Sequence, residues 1–376
     1  MSGRRSKSTG KQLPRLKEFR EANGISAADA ASRCGISRQT VYAIEDGTFV
    51  PNTTTAIRLA RMLGTTVEEL FPFEEEASAE LVSAELLAPD PGSTKHPLVR
   101  LCRVGERMLA VPVQADSGFL PFVDGVVEHR MGSKVTVRTA QEQSRGESTV
   151  LIAGCDPALS FLEEIAQGSG IRFLVAPASS RKALEWLKAG RVHVAGSHLF
   201  DRASRDYNLA IVQRMFPPDG TGVVTFADWQ EGLVMRLGES RQIRSIADLG
   251  SGDWRIVNRE KGSGSRSLLD EALSAASIDP AKIPGYDRVA GGHLAAASAV
   301  ANGAADCCVA TSSAARSFGL AFVPLTSERF DLVFSRAFSA SKPGQVLLDI
   351  LNRAALRRKL QQIAGYDTSR TGDILR

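Results

Sequence analysis

Several short stretches of the chain gather side chains suited to holding a small polar ligand. The first is GSGSRS, Gly262 to Ser267, which follows the apolar run WRIVN and opens the helical pattern SLLDEAL. Amides left free at a helix N-terminus favour an anion. Gly262 and Gly264 let the backbone come close, Ser263 and Ser265 add hydroxyl donors, and Arg266 carries a guanidinium able to fork onto an oxyanion. Other apolar runs end in comparable chemistry: Asp156 in the Cys155–Pro157 turn, Ser179-Ser180-Arg181 ahead of a helix, and Thr311 after DCCVA. Hydroxyls and amides are the neutral donors a dehydrated tetrahedral oxyanion requires. Asp156 runs against that chemistry, because a carboxylate repels an oxyanion unless it caps its helix or pairs with a cation. It therefore favours a larger ligand that brings a donor group. Ser179 and Ser265 serve equally well as plain helix caps. The glycine loop is neither a Walker A loop nor a dinucleotide fingerprint, since no G-K-S/T closes it and the third glycine is missing.

Metal and redox chemistry leave weaker marks. The five cysteines, Cys34, Cys102, Cys155, Cys307 and Cys308, contain no C-x-x-C pair, so neither a disulfide framework nor a zinc site is expected. Cys307 and Cys308 sit in an apolar run and read as core, whereas Cys155 lies nearer the mouth of a turn with nothing to mark its thiol as activated. The five-residue spacing of His193 and His198 suits a buried, hydrogen-bonded pair better than metal ligation.

The elements that must position these groups follow from composition and pattern. A chain of 376 residues suits two or three domains, and a net charge of +4 argues for a folded protein whose basic surface is local. The basic start MSGRRSKSTGK lacks an apolar signal core, and no run approaches a membrane span, so a reducing cytoplasm and no membrane partner are expected. Residues 1–11 read as a flexible basic arm with Arg4 and Arg5. Residues 12–72 show five short capped helices: Leu16 and Phe19 mark the first, Ser26 and Asp29 open the second, and Ser37 caps the third with Val41 and Ile44 inward. Ile57, Ala60 and Leu63 line a fourth, and Thr66 with Glu69 caps the last. Residues 73–97 read as linker with a helical piece, and 98–146 as a small β-rich segment of illegible role. From 147 to 376 short apolar runs alternate with helices, which implies parallel strands buried on both faces. Gln345 to Ile363 reads as one amphipathic helix.

The stretch ISAADAASRCGISRQTVYAIEDGTFVPNTTTAIRLARMLGTTVEELF resembles the lambda-repressor-like (Xre/Cro) helix-turn-helix family. Gly35 stands at the turn, Ser37 opens the recognition helix, and Glu45 and Gly47 end it. The resemblance implies a double-stranded DNA operator read in the major groove by Arg38, Gln39, Thr40 and Tyr42, with Ala43 able to offer only an apolar contact. Ala27 stands where the family commonly has a phosphate-touching glutamine, so Arg33 or the arm would supply the backbone clamp. A homodimer on a two-fold operator is expected.

From about 148 onward the sequence resembles cytoplasmic periplasmic-binding-protein-like domains related to molybdate-binding proteins. AGCDPAL, AGSHLFD with YN, VNREKGSGSRSLLDEAL, AADCCVA, SERFDLVF and GYDTSRTGDI stand in that family's order. The resemblance implies a multidomain fold: an all-α head, a small β-rich segment, and an α/β two-lobed (type II) domain. Lobe 1 would take residues 147–218 and 322–376, and lobe 2 residues 219–321. It adds Ser197 and His198 to the ligand candidates, brings Asp156, Ser179, Ser180, Arg181, Ser263, Gly264, Ser265, Arg266 and Thr311 to one cleft, and leaves Tyr207 and Asn208 undecided. The function implied is a one-component transcription regulator, not an enzyme, requiring no cofactor. Its effector would be molybdate, tungstate or molybdenum cofactor. An enzyme or store of molybdenum-cofactor metabolism, and a regulator with an unrelated effector, are the alternatives.

Overall fold

Closely spaced caps and stops cut residues 16–70 into short helices. The computed structural model describes residues 14–71, 80–88, 97–113, 122–139, 148–238, 243–251 and 254–376. The basic arm 1–11 lies outside them. Two compact units are present, Met1–Ala79 and Glu80–Arg376.

The first unit holds α1 (Leu16–Ala22), α2 (Ala27–Cys34), α3 (Arg38–Glu45), α4 (Thr53–Leu63) and α5 (Val67–Leu70). Ser26, Ser37, Asn52 and Thr66 each accept an N–H from the residue three positions on, and Thr66 completes a capping box with Glu69. Gly35 and Gly64 end α2 and α4 in the left-handed region, at φ 70° and 67°. Leu16, Ala30, Val41, Ile44, Leu59 and Leu70 form the core, each large one worth roughly 1.5–3 kcal/mol on burial. Buried Arg20 holds Glu45 at 2.7 Å, which ties α1 to the end of α3. Ile57, expected to face inward, is exposed; Leu59 fills that place instead.

The second unit begins with a closed barrel of β1 (Glu80–Leu86), β2 (Leu98–Val104), β3 (Arg107–Pro112), β4 (Gly125–Met131) and β5 (Lys134–Thr139), ordered β1-β3-β2-β4-β5. This corrects the linker expected over 73–97: residues 80–86 are a strand, not a helical piece. Their Ala, Glu and Leu favour helix in isolation. Pairing with β5 on one side and β3 on the other, with Ala84 and Leu86 turned into the barrel, overrides that preference. Leu87, Cys102, Val104, Leu109 and Val111 pack against Leu151, Leu174 and Leu184 of the α/β domain. Arg100–Glu163 at 2.6 Å and Arg172–Asp124 at 2.9 Å bracket that contact.

The α/β domain runs β6 (Ser148–Gly154), α6 (Ser160–Ile165), β7 (Ile171–Pro177), α7 (Ser180–Lys188), β8 (Val194–Ser197), β9 (Phe200–Asp201), β10 (Asp206–Tyr207), α8 (Leu209–Met215) and β11 (Thr221–Met235). It continues with β12 (Asn258–Arg259), α9 (Gly264–Ala275), β13 (Val289–Ala290), α10 (His293–Ala301), β14 (Cys307–Thr311), α11 (Ser312–Ser317) and β15 (Ala321–Ser335). Three helices close it: α12 (Arg336–Ala340), α13 (Lys342–Leu351) and α14 (Ala354–Lys359). The single helix expected from Gln345 to Ile363 is thus interrupted at Asn352–Arg353.

The main sheet has six strands in the order β14-β11-β15-β8-β6-β7. Only β6, β7 and β8 run parallel; β11 pairs antiparallel with both β14 and β15, unlike the all-parallel expectation. The reason is length. Strands β11 and β15, fifteen residues each, pass from one core to the other. Trp229 and Phe330 belong to the core of the first lobe, whereas Leu233 and Val234 belong to the second, with Val323 and Leu325 packed against it. The lobes therefore meet within these strands, near 230 and 327, not at the loop boundaries 218/219 and 321/322 expected from sequence.

Candidate functional site

In the first unit, α3 presents its N-terminal turns outward. Arg33, Arg38, Gln39 and Tyr42 are exposed, with Thr40 and Ala43 half-buried. Ser37 caps the helix and shares a hydroxyl bond with Thr40 at 2.8 Å. Arg38 rests on its neighbour one turn on: its Nη2 donates to the Tyr42 hydroxyl at 3.0 Å, and its guanidinium lies 5.5 Å from the ring centroid. Its Nε donates to the same hydroxyl at 3.2 Å, so this edge of the guanidinium rests on Tyr42. Ala27 is buried and offers no phosphate contact.

In the second unit, strand tips from both lobes converge where β11 and β15 cross. Asp156 caps the turn Pro157–Leu159 through the Ala158 N–H at 2.8 Å and accepts the Tyr366 hydroxyl at 2.8 Å. Burial pushes its carboxyl up to about 7. Tyr366 in turn bonds Ser313 at 2.9 Å, and Ser313 bonds Thr311 at 2.9 Å. Since Tyr366 donates to Asp156, Ser313 must donate to Tyr366 and accept from Thr311. This chain links the α11 end of the second lobe to the β6 tip of the first.

Several expected ligand residues make structural bonds. Thr311 caps α11 through the Ala314 N–H at 3.3 Å, so its hydroxyl is spent on the network just described. Ser180 accepts the His198 N–H at 3.2 Å, and Ser263 caps α9 through the Arg266 N–H. Arg266 Nε lies 3.0 Å from Asp270 and its guanidinium stacks 4.1 Å from the Tyr286 centroid, which turns it onto its own helix. Arg181 is exposed, its stem beside Gly262, and Ser179 is buried without a capping bond. Asn208 braces the loops by bonding Leu199, Ser197 and Asp331, and Tyr207 bonds the Ser327 carbonyl. His193 and His198 are not partners; His193 accepts the Leu151 N–H at 3.0 Å, and His198 is buried between Cys155 and Glu328.

His198 is the centre of the site. Its Nε2 lies 3.3 Å from Cys155 Sγ and its Nδ1 2.5 Å from Glu328 Oε2. Glu231 Oε2 is 3.8 Å from the same Nδ1, and Glu231 Oε1 is 3.8 Å from His293 Nδ1. Burial would lower His198, but Cys155 and Glu231 beside it hold it above its ordinary value. His293 is driven well below its ordinary value by burial and by nearby Arg259. Burial and the adjacent Glu328 push Glu231 up to about 8; burial pushes Glu328 up to about 7. Trp229 forms the floor, its ring 5.2 Å from His198 and 5.9 Å from His293.

Several polar atoms around this site are buried without a hydrogen bond of ordinary geometry to any described residue: both carboxylate oxygens of Glu231, both ring nitrogens of His293, Asp156 Oδ2, Trp229 Nε1, Ser197 Oγ, Ser265 Oγ and Arg259 Nη1. Orphaned polar atoms are costly and uncommon in a folded interior, so a concentration of them marks a place shaped for a ligand. The sequence reading missed Glu231, Glu328, His293, Arg259, Trp229 and Tyr366. Glu328 and Tyr366 stand inside stretches already singled out, SERFDLVF and GYDTSRTGDI. Glu231 had one signal, an acid inside a long apolar strand. The register of β11 against β15 shifts between Glu231 and Gly232, a bulge of the sort that re-aims a side chain.

Comparison with known proteins agrees with this division. The PBP superfamily domain matches residues 162–352, and a helix-turn-helix matches residues 16–70. The chain is 30% identical over 258 residues to YvgK of Bacillus subtilis, covering 65% of this chain and 81% of that protein. It is 34% identical over 62 residues to the HTH-type transcriptional regulator MJ0272 of Methanocaldococcus jannaschii, covering 16% of this chain and 94% of that one. Among solved structures, it is similar to a phosphate ABC transporter substrate-binding protein of Clostridium perfringens with bound phosphate. That pair has a TM-score of 0.46 and 11% identity, over 58% of this chain and 98% of the other. Among the described residues no helix is long and apolar enough to cross a membrane.

Proposed function

Because the chain belongs to the PBP superfamily and carries a helix-turn-helix ahead of that domain, we propose that it is a transcription regulator whose operator affinity responds to a small molecule bound between the two lobes. Two copies would read a two-fold operator through Arg38, Gln39, Thr40 and Tyr42. The observation that carries the effector half is the set of orphaned buried groups in the cleft, Glu231, His293, Ser197, Ser265 and Arg259. Effector and operator act on one equilibrium, so each must change the other's affinity by the same factor.

The effector we favour is molybdenum-related. Ser197, Ser265 and the Arg259 guanidinium are oxyanion donors, in keeping with molybdate or tungstate. Glu231 and Glu328 offer acceptor oxygens that a bare oxyanion cannot use, so molybdenum cofactor, which brings hydrogen-bond donors of its own, fits the mixed lining better. The experiment is a thermal scan with molybdate, tungstate, sulfate and molybdopterin, paired with operator titrations. A ligand at one hundred times its Kd adds about 2.7 kcal/mol. A shift with none of them would sink the molybdenum assignment; a shift without any change in operator affinity would sink the regulatory one.

A further inference from the structure

Reading the interlobe cleft as the effector pocket, we propose that Cys155, His198 and His293 form a three-ligand site there for a divalent transition-metal ion, zinc or a metal of similar preference. Their ligating atoms all lie within 4.8 Å of one another. Tetrahedral coordination by one thiolate and two imidazoles, with metal distances of about 2.3 and 2.0–2.1 Å, puts ligand atoms about 3.3–3.6 Å apart. Cys155 Sγ and His198 Nε2 are already 3.3 Å apart. His293 has only to close in by an ångström or so, and neither of its nitrogens is bonded to a described residue.

The outer groups fit the same ion. A ligating histidine characteristically gives its other ring N–H to a carboxylate, which fixes the tautomer and raises ligand basicity. His198 does so here, Nδ1 to Glu328 at 2.5 Å, leaving Nε2 for the metal. Glu231, 3.8 Å from a ring nitrogen of His293, stands to do the same for that ligand. Asp156 Oδ1 is engaged by Tyr366 and Ala158. Sulfur and imidazole donors select a transition metal over calcium or magnesium. Three protein ligands leave a fourth position for an oxygen of the effector. The cation would thereby let an anionic effector sit among carboxylates. A cysteine–histidine–carboxylate chain would also suit a nucleophile, but that use leaves His293 with no part to play.

The test uses the full chain, stripped with chelator and titrated with Co2+ and Zn2+. We expect one equivalent of Co2+ with a thiolate-to-cobalt charge-transfer band, and Zn2+ protection of Cys155 from iodoacetamide. C155S should lose the band and at least about a hundredfold in Zn2+ affinity by chelator competition. E328Q should keep the band and lose about 10- to 100-fold, and H293Q should weaken Zn2+ with the fold intact by circular dichroism. Absence of the band in the wild type, or unchanged Zn2+ affinity in both C155S and H293Q, would overturn the site. If molybdate or molybdopterin still raises the melting temperature in that case, the effector reading survives alone. If metal binds through Cys155 but neither metal nor molybdenum compounds change operator affinity, the site stands and the regulatory reading falls.

Discussion

Gly264, at the start of α9 in the second lobe, lies against the imidazole of His198 in the first. A Cβ built at Gly264 would sit 2.4 Å from His198 Cε1 and 2.6 Å from Nδ1. The helix N-terminus can close over the cleft only because that carbon is missing, so glycine is required here for approach rather than for an unusual backbone angle.

G264A should therefore hold the lobes apart. Overpacking of this kind costs about 1–3 kcal/mol, so affinity for the effector should fall roughly 5- to 150-fold. Isothermal titration of whichever compound shifts the melting temperature measures it. Unchanged affinity would mean that the closure seen here is not the binding-competent one.

Arg259 and Arg266 separate two guanidiniums that look alike in sequence. Arg259 is buried with Nη1 unbonded to described residues, whereas Arg266 is bound to Asp270 and stacked on Tyr286. R259M should remove most of the ligand-induced thermal shift. R266M should lower the melting temperature of the free protein yet leave the ligand-induced increment largely intact. The reverse pattern would return Arg266 to the ligand.

On α3, R38A should relax base preference by about 1–3 kcal/mol at one operator position while affinity for random DNA changes little. Y42F removes the hydroxyl that Arg38 leans on and should give a smaller loss of the same kind. Competition binding on operator and scrambled duplexes reads both. Equal losses on the two duplexes would assign Arg38 to phosphate.

His193 gives the pH prediction. Burial lowers it from 6.5 to about 4 in the folded protein. The unfolded chain binds more protons between those values, so this contribution is complete above pH 6.5 and disappears as pH falls toward 4. Allowing for water at its edge, the loss is roughly 1–3 kcal/mol. The stability difference between wild type and H193Q in urea should vary with pH across that window and be flat above it. A difference flat throughout would show that His193 keeps its ordinary value when folded.

What the sequence settled is local. Ser26, Ser37, Thr66 and Gly35 cap and stop helices through bonds to residues three or four away, so the α1–α5 head was legible from spacing, and the reading face of α3 from the family resemblance. The loops that carry Asp156 and Ser263–Ser265 were legible because each ends an apolar run, whereas Ser197 and His198 entered through the family resemblance. The tertiary structure decided everything that depends on distant pairing. Residues 80–86 became a strand because β3 and β5 flank them. The lobes divide inside β11 and β15 because two long strands pair along their whole length. Cys155, His198, Glu231, His293 and Glu328 are scattered over more than 170 positions, and only the packing of two lobes brings their polar atoms together in a buried cluster.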